Sequence, residues 1–122
     1  MTKKIDWLDG PEHHDYMAAL SYLSLHYPIE TSGDLVHRLR SAGMSEFKAK
    51  DILRASGLHL LPETNSHIER NLEKIEDGKK LSPILLVRGE RLVVADGFHR
   101  LCAVYMHDED ALIPCKITGS IE

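Results

Sequence analysis

The stretch Ala95-Asp96-Gly97-Phe98-His99-Arg100-Leu101-Cys102-Ala103 constrains the fold of this chain more than any other. It closes an apolar run that begins at Arg91, and it opens a run in which Phe98, Leu101, Cys102 and Tyr105 share one helical face. The pattern predicts a strand, a tight turn and a helix. Asp96 is placed to cap that helix by accepting backbone N–H groups, and Gly97 allows the backbone to turn closely. His99 and Arg100 fall in the first helical turn. Free N–H donors and the positive end of the helix dipole meet there, which suits an anion such as phosphate. The planar fork of arginine matches phosphate oxygens. Two groups able to carry positive charge oppose the dipole at a helix N-terminus unless an anion joins them, so the turn is read as an anion site.

The rest of the chain supplies the surroundings of that turn. A helix is expected over about 11–26, with Pro11 in its first turn and Tyr16, Leu20, Leu23 and Tyr27 on its apolar side, ended by Pro28. A second helix is expected from Thr31, capped by Thr31 with Asp34, carrying Leu35, Val36 and Leu39 inward and stopping at Gly43. The pair is read as a covering for a sheet rather than as a DNA-reading helix-turn-helix, because the second helix is short and mixed in character. Residues 45–51 suggest a short strand, and Asp51–Ser56 a short helix stopped by Gly57. Ser66 and Glu69 form a capping box before Ile68, Leu72 and Ile75, and Gly78 closes that helix. The runs Ile84–Val87 and Leu92–Ala95, joined through Arg88-Gly89-Glu90, read as a hairpin whose unbroken apolar character implies burial on both faces. Leu112–Ile117 reads as a last strand, with Pro114 pointing to a sheet edge.

At 122 residues the chain suits one compact domain, and 43% apolar with 28% charged residues is a globular composition. No window approaches the roughly 20 apolar residues of a membrane span, and no apolar segment follows Lys3 and Lys4 as a signal peptide requires. Cys102 and Cys115 read as small buried hydrophobes in a reduced, cytoplasmic setting. A net charge of −4 argues against a protein whose main task is gripping duplex DNA. A local basic surface of Arg38, Arg40, Lys48, Lys50 and Arg54 keeps a nucleic-acid partner as an alternative. Eight histidines raise the question of a metal, but they show no H-x-x-x-H on a helix and no accompanying C-x-x-C, so no metal-ligand set is assigned.

From about Phe47 to Ile117 the order of elements resembles the ParB/sulfiredoxin superfamily. The resemblance rests on Asp77-Gly78, on Leu81-Ser82-Pro83-Ile84-Leu85-Leu86-Val87, on Asp96-Gly97-Phe98-His99-Arg100 leading to Ala103, and on Ile113-Pro114. It implies an α+β fold, a small mixed sheet with packed helices over 45–122, preceded by an N-terminal helical extension over 1–44. Gly97, Arg100 and Ala103 match the partition-protein pattern G-x-x-R-x-x-A, whereas Phe98 and His99 stand where that branch has Glu-Arg. Gly97, His99 and Arg100 match the sulfiredoxin pattern G-C-H-R, with Phe98 in the catalytic cysteine position. The D-G-H-H-R pattern of stand-alone kinases acting on free serine is met by Asp96, Gly97, His99 and Arg100. That branch implies a catalytic glutamate before the middle helix, where Glu63 stands. The expected function is therefore binding of a nucleoside triphosphate (ATP or CTP, with Mg²⁺) and phosphotransfer to a small molecule or hydrolysis. Gly97, Phe98, His99 and Arg100 would hold phosphate, and Glu63, Asp96 and His99 would carry the chemistry. The alternatives are a nucleic-acid-associated ParB-like nuclease or DNA-binding protein, and a non-catalytic interaction module.

Overall fold

A computed structural model describes residues 3–119. Among them are five helices and a four-stranded mixed sheet, an α+β arrangement. The helices are α1 (His13–Leu23), α2 (Ile29–Ser41), α3 (Ala49–Ser56), α4 (Ser66–Glu76) and α5 (Phe98–His107), and the strands are β1 (Ser45–Lys48), β2 (Ile84–Val87), β3 (Val93–Asp96) and β4 (Leu112–Thr118). The sheet order is β1-β4-β2-β3. β4 runs antiparallel to β1 and parallel to β2, and β2 and β3 form the expected antiparallel hairpin.

The hairpin is buried on both faces, as its unbroken apolar sequence requires. Ile84, Leu86 and Val94 face Ile52, Ile75, Leu101 and Val104, on the side of α3, α4 and α5. Leu85, Val87 and Ala95 face Tyr16, Ala19, Leu23, Leu35 and Leu39 of α1 and α2. Alternation along a strand thus sends one residue set to each helical layer. Ile68 of α4 packs with Cys102 and Ala103 of α5 in a third, smaller cluster. The N-terminal segment docks beside β2: Leu81 N–H donates to Asp6 and Leu8 N–H donates to Leu81, each at 2.9 Å.

Several local expectations shift. Glu12, not a residue before Pro11, is the N-cap of α1, so Pro11 precedes the helix rather than opening it. α2 starts at Ile29, directly after Pro28. Thr31 is therefore inside it, and the Ser32 hydroxyl donates back to the Pro28 carbonyl at 3.1 Å. α2 ends at Ala42 in extended backbone, without Gly43 adopting a left-handed conformation. Asn65, not Ser66, caps α4, its side-chain oxygen accepting from His67 N–H at 3.0 Å and Ile68 N–H at 3.3 Å. Gly78 does close α4, with its N–H on the Ile75 carbonyl and Lys79 N–H on the Lys74 carbonyl. Pro114 sits on an interior strand, not on the sheet edge. It is tolerated because β2 begins pairing with β4 only at Cys115, so at Pro114 the strand has its partner on the β1 side alone.

Candidate functional site

The strand, turn and helix around Asp96–Arg100 form as expected, but their polar groups are arranged differently. Gly97 is the N-cap of α5 in left-handed backbone, φ 104°. A Cβ there would press into Ile84 Cγ2 and lie 3.0 Å from Arg100 Nη2, so only glycine fits. Asp96 does not cap the helix, and α5 begins with no side-chain cap. Its carboxylate instead accepts a hydrogen bond from Arg100 Nη2 at 2.9 Å, one helical turn on. The first intrahelical bond of α5 runs from Leu101 N–H to the Gly97 carbonyl. The N–H groups of Phe98, His99 and Arg100 therefore stand at the open start of the helix.

Arg100 is drawn inward. Its Nη2 lies 3.7 Å from Oδ1 of Asp15, a residue of α1 that is 2% exposed, and 3.4 Å from the Pro83 carbonyl. Its Nε is buried without a partner among the described residues. Two carboxylates thus share one guanidinium beneath α1. Burial pushes the Asp96 carboxyl up to about 6, with Asp15 adding to the rise and the Arg100 charge opposing it. His99 lies against His67 of α4, ring centres 4.7 Å apart. Partial burial, then the neighbouring His67 and Arg100, lower its pKa below the ordinary value. His99 is therefore mostly neutral at pH 7, a proton acceptor rather than a second cation.

A cleft of about 440 Å³ opens beside this turn, lined by Ala18 and Tyr22 of α1, Leu58, Val94, Ala95, Asp96, Gly97, Phe98 and His99. Of the expected site residues it gathers Asp96, Gly97, Phe98 and His99, while Arg100 stands behind Asp96. Glu63 is not among them. It is exposed and lines a separate groove with Thr64, Glu69, Leu72 and Glu73. Sequence reasoning missed Asp15, Tyr22, Leu58 and His67, all supplied by other elements. The only local trace of Asp15 is the Glu12-x-x-Asp15 spacing of a capping box, in which Asp15 Oδ2 accepts Glu12 N–H at 2.8 Å. Glu12, His14 and Asp15 also bring three ligand-type atoms within 4.8 Å of one another, in a spacing unlike any helical histidine motif.

Four of the five residues of the expected basic surface are ion-paired. Arg38 pairs with Asp34, Lys48 and Lys50 with Asp110, and Arg54 with Asp51. Arg40 stacks over the Tyr16 ring at 4.3 Å. Both cysteines are free and fully buried, and burial raises both thiols, Cys115 to about 11, so neither is a ready nucleophile. No described helix is long and apolar enough to cross a membrane. Compared with protein-family models, with curated proteins and with solved structures, the chain matches none.

Proposed function

We propose that the cleft beside the β3–α5 turn binds a nucleotide and that the chain transfers or hydrolyses its terminal phosphate, in the manner of the ParB/sulfiredoxin-like proteins its sequence resembles. The observation that carries this reading is the cleft itself: an uncapped helix start next to a largely apolar wall of Ala18, Tyr22, Leu58 and Phe98. A planar base fits such a wall, and phosphate oxygens fit backbone N–H groups at a helix start. Asp96 supplies the base for the chemistry. A carboxyl near 6 is mostly ionised at pH 7 yet basic enough to accept a proton from an attacking hydroxyl or water. His99, neutral and at the cleft rim, is a second acceptor. Arg100, behind the cleft, holds Asp96 in place. Glu63 has no part in this reading, since it faces another groove.

Calorimetric titration with ATP, ADP and CTP in the presence of Mg²⁺ tests the proposal. One of them should bind saturably, and His99→Ala should weaken it. The same ligand should raise the unfolding free energy by about 2.7 kcal/mol at a hundredfold excess over Kd. Absence of binding by all three would sink it. His99→Ala is the better probe than Arg100→Ala, which leaves two buried carboxylates without their cation and damages the fold along with the site.

A further inference from the structure

We propose that Glu12, His14 and Asp15 form a zinc site at the start of α1, with Glu12 Oε2, His14 Nε2 and Asp15 Oδ1 as ligand atoms. His14 Nε2 lies 3.3 Å from Glu12 Oε2 and 3.5 Å from Asp15 Oδ1. A tetrahedral ion with bonds of about 2.0–2.1 Å separates its ligands by about 3.4 Å. An octahedral Mg²⁺ with similar bonds requires about 2.9 Å, and it takes oxygen donors in preference to imidazole. The two His14 spacings and the donor set favour zinc, and Glu12 Oε2 and Asp15 Oδ1 lie within 4.8 Å of each other.

The ligands are held by groups outside the cluster. Asp15 is 2% exposed, and its Oδ2 is fixed by the Glu12 backbone N–H at 2.8 Å. Its Oδ1 faces His14 at 3.5 Å and is ion-paired with Arg100 at 3.7 Å. Ser82, from the segment before β2, donates its hydroxyl to Glu12 Oε2 at 3.2 Å. Outer partners of this kind orient metal ligands and strengthen binding. The dipole of α1 places roughly half a positive charge at its start, and two carboxylates outweigh it. Arg100 shares Asp15 with the ion, and its shorter contact is to Asp96 at 2.9 Å. The His14 side is 75% exposed, which leaves room for a water as fourth ligand. The site needs no nucleotide, so it stands or falls apart from the function proposed above.

Zn²⁺ titrated into the metal-free full chain should bind one equivalent. Co²⁺ in its place should give the intense visible bands of a four-coordinate ion. Ser82→Ala should weaken Zn²⁺ about tenfold, and His14→Ala by more than that. His13→Ala, which removes the neighbouring histidine, should leave affinity unchanged. Both histidines are exposed, so these variants keep the core intact. Failure to bind Zn²⁺ overturns the proposal, as do the weak bands of six-coordinate Co²⁺. Binding that His14→Ala does not weaken, or that His13→Ala weakens equally, shows an adventitious ion only and overturns it too.

Discussion

Asp96 is where the chemistry of single residues departs furthest from what its neighbours in sequence suggest. A carboxylate just before a helix normally serves as its cap, yet here it turns to Arg100 and is buried beside Asp15. Burial raises its pKa from 3.8 to about 6. The folded state therefore keeps a proton, between about pH 4 and 6, that the unfolded chain has already lost. The stability that Asp96 contributes is greatest below that window, falls as pH rises through it, and levels above. The change from this group is on the order of 2–3 kcal/mol. Urea unfolding of the wild type and Asp96→Asn at pH 4, 5, 6 and 7 reads out the titration of Asp96 together with its effect on the adjoining Asp15. The wild-type advantage should shrink toward neutral pH. Parallel curves would show that Asp96 titrates normally. Asp15, which helps set this environment, gave no local sign beyond its capping-box spacing. Its meeting with Arg100 depends on how α1 lies across the hairpin, a long-range fact that no window of sequence contains.

Elements were legible in the sequence where a local pattern was strong and lacked competitors. The hairpin, the turn at Gly97, α5, and the glycine that closes α4 all carry such patterns, and all stand where the pattern puts them. Boundaries moved where two neighbouring residues could do the same job. Asn65 and Ser66 both suit an N-cap, and the Ser66–Glu69 spacing favoured the second, but Asn65 makes the bonds. The position of Pro114 was misleading for another reason: strand order is set by pairing between distant segments, not by the strand itself. The cap assignment has a direct consequence. Asn65→Ala should cost about 1 kcal/mol of stability. Ser66→Ala, at the first helical position, should cost little. Chemical denaturation of both variants distinguishes them, and the reverse order would return the cap to Ser66.

The whole molecule depends on its two helical layers together. Over residues 45–119 the sheet has one face covered, by α3, α4 and α5. The other face, Leu85, Val87 and Ala95, is covered by Tyr16, Ala19, Leu23, Leu35 and Leu39. Those five residues all precede residue 45, so the N-terminal helices complete the core rather than decorate it. They also supply Tyr22 to the cleft and Asp15 to the Arg100 cluster. Truncating one fully buried leucine to alanine costs about 2–5 kcal/mol, while the whole stability of a domain this size is about 5–15 kcal/mol. Removing the entire layer strips several such contacts at once and exposes a flat apolar sheet face. A fragment of residues 45–122 should therefore fail to fold as a monomer. It should elute as aggregate in size exclusion and show no cooperative thermal transition by circular dichroism, whereas the full chain melts in a single step. Adding residues 1–44 as a separate peptide should restore part of the transition, because the surface they cover is complementary in shape and apolar in character. A fragment that melts cooperatively as a monomer on its own would mean that α1 and α2 only lean on a finished domain. The Asp15–Arg100 contact would then be an accessory to the turn at Gly97 and not part of what holds it.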